Sequence, residues 1–256
     1  MFCVDAENKI IAPGSFFKFK QFTVLQEKNA HKTGTDSVLL ACFTEEVLRP
    51  YSTNITKILD IGTGTGILAM FSAVFYANAK ADAIEIIEKN AQEAKQNVFY
   101  NNLKDRITVH HTALQQFQPL SKYDLIISNP PYFENAQLNK DKSKSVARHS
   151  SAELSIIDII RFAEKYLSEN GYLAFVVPQN IWEKHKIPAL EQLWLFAEMI
   201  CVNKNSALSI IILSKQNHQT VNKRKLSVRN ANGNFSEAFI DLTRKVYLPE
   251  AYRGKS

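Results

Sequence analysis

The 256-residue chain is 45% hydrophobic and 22% charged, the ordinary balance of a globular protein with room for one sizeable core. Its formal charge of +6 and pI near 9.1 favour a polyanionic partner, and no apolar run approaches the ~20 residues that a membrane-spanning helix needs. Cys3, Cys42 and Cys201 are odd in number and far apart, which argues against a disulfide framework and a zinc cluster and fits a reducing cytoplasm. The acidic start, with Asp5 and Glu7, does not read as a secretory signal.

In chain order, residues 15–24 read as a small aromatic-rich β element. An amphipathic helix is expected over 36–49, with Asp36 as its N-cap. Short β-rich runs follow near 58–61, 83–86, 107–110, 125–128 and 172–177, with helical patterns near 66–77, 87–101 and 154–168. Two last runs, 197–202 and 208–213, flank the turn-forming residues 203–206 and suit a hairpin. This alternation predicts an α/β fold: a doubly wound, mostly parallel, seven-stranded sheet ending in an antiparallel pair.

The candidate chemistry lies just past the strands, where open α/β sheets bind ligands. Residues 60–66 read D-I-G-T-G-T-G, with glycines at 62, 64 and 66. A nicotinamide-binding G-x-G-x-x-G pattern is disfavoured because Ile67 stands where its last glycine would be. Asp60 could accept from a ligand ammonium or cap the glycine loop. Glu85, closing the next strand, could grip two ribose hydroxyls or be a solvated strand-end carboxylate. Residues 32–36, K-T-G-T-D, precede the first long helix, whose N-terminal donors suit a carboxylate at Gly34, Thr35 and Asp36.

Asn129-Pro130-Pro131-Tyr132 follows an apolar strand. Two prolines supply no donors and fix two φ angles, so the strand stops in a rigid turn. That turn offers a side-chain amide, a bare carbonyl and an aromatic ring, a set able to accept from a planar amino group while the ring stacks. Just beyond it, Lys140, Lys142, Lys144 and Arg148 face one acid, Asp141, and could grip phosphates or form a solvated loop. Lys223, Arg224 and Lys225, with Lys18, Lys20 and the N-terminal aromatics, are weaker candidates of the same kind, and core packing explains the phenylalanines equally well.

The turn resembles the catalytic loop of methyltransferases acting on the nitrogen of an adenine or another conjugated amine or amide. The glycine loop resembles the one that cradles S-adenosylmethionine in Rossmann-like methyltransferases. With F-K-Q-F-T-V at 19–24, K-T-G-T-D at 32–36 and a closing K-V-Y-L at 245–248, nearly the whole chain resembles the bacterial tRNA(Val) adenine N(6)-methyltransferase family. That resemblance implies S-adenosylmethionine as cofactor, tRNA as partner and the adenine beside the anticodon as target. It implies catalytic roles for Asn129, Pro130 and Tyr132, and cofactor contacts at Gly34, Thr35, Asp36, Asp60, Gly62, Gly64, Gly66, Glu85 and Asn129. Phe133, Lys140, Lys142, Lys144 and Arg148 are the implied RNA contacts. A single cytoplasmic, monomeric domain over 1–256 is expected, without metal; residues 1–35 would cover the cofactor and 36–256 form the catalytic core. One departure stands out: His111 to Leu114 occupy the place where many related enzymes carry an acid for the cofactor's adenine. Methylation of a protein glutamine, of a DNA or ribosomal RNA base, and a non-catalytic RNA-binding module remain as alternatives.

Overall fold

The structure, a computed structural model, describes residues 16–25, 34–131, 154–185, 192–203 and 206–252. Two short strands, β1 (Phe16–Lys18) and β2 (Thr23–Leu25), form the antiparallel N-terminal element. Eight more make one sheet: β3 (Lys57–Ile61), β4 (Lys80–Glu85), β5 (Ile107–His111), β6 (Tyr123–Ser128), β7 (Leu167–Pro178), β8 (Trp194–Asn203), β9 (Ser206–Ser214) and β10 (Asn222–Ser227). Their order is β10-β8-β9-β7-β6-β3-β4-β5, parallel except where β9 runs against β7 and β8.

The inner strands are apolar because both their faces are covered. Along β7, Tyr172, Ala174 and Val176 pack to one side and Leu173, Phe175 and Val177 to the other. In β9, Ile210 and Ile212 divide from Ile211 and Leu213 in the same way. The first face carries α1 (Thr35–Leu48), α2 (Ile67–Phe75), α3 (Glu88–Tyr100) and α6 (Glu237–Thr243); the second carries α4 (Ile156–Tyr166) and α5 (Gln179–His185). None of the described helices is long and apolar enough to cross a membrane.

Two expectations are corrected, and one open choice is resolved. Among the described residues the sheet has eight strands rather than seven, because the polar run at 222–227 pairs in parallel with β8. The β8–β9 hairpin is therefore not the end of the sheet. An edge strand with a single neighbour needs no apolar signature, and its lysines keep it solvated. Helix α1 starts at Thr35, with Gly34 rather than Asp36 as N-cap, and it is not amphipathic: every residue from Ser37 to Thr44 is buried. The N-terminal phenylalanines Phe19 and Phe22 are core residues, packed on Phe71 at 5.0 and 4.7 Å, so they offer no surface to RNA.

The N-terminal element is tied to α3 by two asparagines. Asn97 accepts from the Leu25 N–H (2.7 Å) and donates to the carbonyls of Leu25 (3.1 Å) and Thr65 (2.9 Å). One turn later, Asn101 accepts from Thr23 N–H (2.9 Å) and donates back to its carbonyl (2.7 Å). Four helical residues advance ~6 Å and two strand residues ~6.7 Å, so amides one turn apart match alternate peptide groups of a strand. Asn97→Ala strips partners from buried backbone groups of Leu25 and Thr65 and should cost about 3 kcal/mol, against about 1 kcal/mol for the half-buried Asn101→Ala. A shifted urea midpoint at constant slope measures both.

Candidate active site

Ile84 of β4, Ile61 of β3 and Ser128 of β6 lie side by side in one row, so the residues that follow them, Glu85, Gly62 and Asn129, stand at one level at the end of the strands. After β5 the chain returns to the other side of β3 to form β6. The strand order therefore reverses at this point, and the crevice outside the strand ends is the ligand site of such sheets.

Two carboxylates hold the glycine loop. Asp60, fully buried, accepts through Oδ2 from Thr63 Oγ1 (2.5 Å) and Ala69 N–H (3.0 Å). Glu85 accepts from Gly64 N–H through Oε2 (3.0 Å) and from Ile87 N–H through Oε1 (2.9 Å). Burial pushes the Asp60 carboxyl up to about 7; the Thr63 and Ala69 bonds pull the other way and the Glu85 charge adds to the rise. Of the two roles expected for Asp60, the loop cap is occupied by Oδ2, while Oδ1 is buried with no partner among the described residues. Gly66 adopts φ +84°, and a Cβ there would lie 3.4 Å from the Ala94 methyl, so its absence lets α3 approach. Gly64, at φ +55°, would carry a Cβ that meets nothing within 4 Å, which leaves that part of the loop open.

The gap left by the missing acid after β5 is filled differently. Ile86, Thr112, Ala113, Leu114 and Leu154 line a cleft of about 30 Å³ beside Gly62. His111 Nε2 lies 3.1 Å from the Ile86 carbonyl and joins the two walls. Ile86 and Ile87 are 46% and 55% exposed, an apolar surface suited to the face of a flat ring. Sequence reasoning missed this wall, although two isoleucines directly after a strand-end acid are its signal.

At the other side of β3, Asn129 Nδ2 donates to Ser37 Oγ (2.9 Å), and Ser37 is buried in the first turn of α1. This bond orients the Asn129 amide. Gly34 enters α1 in extended conformation (φ −79°, ψ 149°), and no side-chain cap hydrogen bond is made at that end among the described residues. The helix's first N–H groups and the Asn129 side chain thus share one corner of the crevice. Pro130 is buried and Pro131 exposed. Asp36 has its carboxyl raised by burial. Its charge adds to the mainly burial-driven rise of the Cys201 thiol, up to about 12, which puts it near β8.

The structure therefore brings Gly34, Thr35, Asp60, Gly62, Gly64, Gly66, Glu85, Asn129 and Pro130 to one end of the sheet. Tyr132, Phe133, Lys140, Lys142, Lys144 and Arg148 lie outside the described residues. No group of three His, Cys, Asp or Glu among the described residues could hold a metal.

Residues 33–212 match the model of the family described as methyltransferase small domain. The tRNA1(Val) (adenine(37)-N6)-methyltransferase of Trichodesmium erythraeum is 34% identical over 247 residues, covering 92% of this chain and 98% of that protein. The protein of the same name from Bacteroides thetaiotaomicron is 34% identical over 91% of this chain and 97% of its own length. Among solved structures, a predicted O-methyltransferase of Agrobacterium tumefaciens superposes with a TM-score of 0.58 at 16% identity, over 82% of this chain and 96% of its own, a likeness of fold.

The raised Asp60 carboxyl has a consequence for stability. Between the ordinary carboxylate value of 3.8 and about 7, the folded protein keeps a proton that the unfolded chain releases. That contribution is complete below the lower value and is lost as pH rises through the upper one. Ligand-free wild type should therefore lose thermal stability relative to Asp60→Asn between pH 4 and 7; parallel melting profiles would contradict this.

Proposed function

The chain belongs to the methyltransferase small domain family and, within it, to the tRNA1(Val) (adenine(37)-N6)-methyltransferases, and from that premise we propose that it transfers a methyl group from S-adenosylmethionine to the 6-amino group of adenine 37 in tRNA1(Val). The observation that carries this reading is the corner where Asn129, fastened to α1 by Ser37, stands one strand from the glycine loop.

The crevice suits S-adenosylmethionine. The exposed surface of Ile86 and Ile87 beside the narrow cleft at Leu114 would meet the face of its adenine, and Glu85 its ribose. Each Glu85 oxygen already accepts one backbone hydrogen bond and has a second lone pair, so these bonds orient the carboxylate without exhausting it. The N-terminus of α1 at Gly34, Thr35 and Asp36 would meet the carboxylate of the methionine part. Asp60 Oδ1, a buried acceptor in need of a donor, suits its ammonium directly or through water. Gly62, Gly64 and Gly66 would let the backbone come close.

The bound cofactor supplies an electrophilic methyl carbon. The chain's task is to make a poor nucleophile attack it, because the amino lone pair is delocalised into the purine. The Asn129 side-chain oxygen and the Pro130 carbonyl, accepting both N–H bonds, would draw the nitrogen towards tetrahedral geometry and free its lone pair. These acceptors strengthen as positive charge builds on nitrogen, so they favour the transition state over the ground state. By holding the amide N–H, Ser37 sets which way the oxygen points. Tyr132 and Phe133 would wall the target base, with Tyr132 stacked on it. Lys140, Lys142, Lys144 and Arg148 would grip neighbouring phosphates. On this reading the chain works as one cytoplasmic, monomeric unit without a metal, with residues 1–35 over the cofactor.

Incubation with labelled S-adenosylmethionine and total tRNA lacking the modification should yield N6-methyladenosine at one site; label in protein instead, or none in RNA, would refute the reading. Asn129→Ala should lower turnover by about two to three orders of magnitude. Ser37→Ala should lower it several-fold, the loss of one hydrogen bond worth about 1 kcal/mol. Both variants should still bind the cofactor by calorimetry.

A further inference from the structure

Four strands away from the catalytic turn, a groove of about 760 Å³ opens between the end of α1, the edge strand β10 and α6. Arg49, Arg224, Lys225, Arg244 and Lys245 line it. The register places it level with the active site. Arg224 stands beside Met199, Met199 beside Ile210, and Ile210 beside Val176. Val176 follows Phe175, the neighbour of Ser128, so the row runs on to Asn129. Four strand spacings separate its ends by ~19 Å. Helix α1 crosses the sheet along this row, from Ser37 at Asn129 to Glu46, whose Oε1 lies 2.8 Å from Arg224 Nη1.

The groove's charges are arranged rather than merely numerous. Glu45 pairs with both Arg49 and Lys245, Glu46 with Arg224, and Asp241 with Arg244 at 3.5 Å. Three carboxylates facing five cations leave a positive surplus, and the pairs hold the cationic heads at the groove wall. The Arg224 guanidinium is further steadied over the Phe43 ring, at 5.3 Å. Lys20 brings a sixth cation alongside, donating to the Arg244 carbonyl (2.6 Å). Guanidinium forks held in place are matched to phosphate oxygens. A distance of ~19 Å is too long for a nucleotide in the catalytic crevice to reach, but an RNA strand covers it in several nucleotides.

Resting on the function proposed above, we propose that this groove is a second anchoring site for the RNA substrate, binding backbone phosphates several nucleotides from the target base. It contributes affinity and register, and takes no part in the chemistry.

The test is the double variant Lys225→Gln, Arg244→Gln. Both side chains are exposed, and the α1 pairs of Arg224 and Lys245 stay intact. Binding of tRNA is measured against salt, with steady-state methylation alongside. Two lost phosphate contacts should lower the log–log slope by about 1.5 and raise KM for tRNA on the order of tenfold at ~0.1 M salt. Turnover at saturating tRNA and affinity for S-adenosylmethionine should not change. An anticodon-loop oligonucleotide too short to reach the groove should be methylated equally by both proteins. If wild type methylates tRNA and the variant keeps the same slope and KM, the groove is not an RNA site. If wild type itself fails to methylate tRNA, the proposed function falls as well.

Discussion

Two carboxylates under the glycine loop carry the crevice. A loop with three glycines at positive φ is expensive to order, because each gives up more conformational freedom than any other residue. Asp60 and Glu85 offset that cost by accepting hydrogens from Thr63, Ala69, Gly64 and Ile87. The two differ in surroundings. Glu85 sits at the strand end and points its oxygens at amides on either side of the crevice. Asp60 lies fully buried beneath the loop, where desolvation works against the charge that its hydrogen bonds favour. The loop is thus fixed by two carboxyls, one of which, Asp60, burial pushes up to about 7.

Helix α1 transmits the position of that crevice to the rest of the protein. Being buried all round from Ser37 to Thr44, it cannot slide without opening the core. Its first turn fastens Asn129, and its last turn supplies Glu45 and Glu46 to the basic groove. The N-terminal element and the C-terminal segment brace the same face: Lys20 N–H donates to the Val246 carbonyl (2.8 Å) and Gln21 Nε2 to that of Lys245 (2.6 Å). The sequence motifs at the two ends of the chain are therefore two halves of one contact.

What could be read from the sequence was what one segment decides by itself. Apolar runs such as 125–128 and 208–213 gave inner strands, since burial on both faces demands continuous hydrophobicity. The glycine spacing and the double proline located the two loops that meet at the crevice. What depends on a distant partner was not legible. Strand β10 reads Asn-Lys-Arg-Lys-Leu-Ser and becomes a strand only because β8 offers an open edge. Asp36 looked like a helix cap by residue type, yet the backbone turns helical one residue earlier and extended Gly34 takes the cap position. Ser37 owes its interest to Asn129, a neighbour far along the chain, which no local pattern records, and the basic run at Arg224 becomes a groove only with Arg49 and Arg244 beside it.

The arrangement also bears on where the substrate's proton goes. Among the described residues, Asp60 is the carboxyl brought near neutrality, the state in which a group could act as a base. Its Oδ2 is bound to Thr63 and Ala69, and it lies fully buried. Asn129 and Pro130 can accept a hydrogen bond but cannot remove a proton at neutral pH. On the function proposed above, their work would be to shape the amine before attack, and the proton would be shed afterwards, when the methylated nitrogen has become strongly acidic. A site built this way needs acceptors held at fixed angles more than it needs a titrating group. The Ser37 hydroxyl, on a helix that cannot move, is one such support.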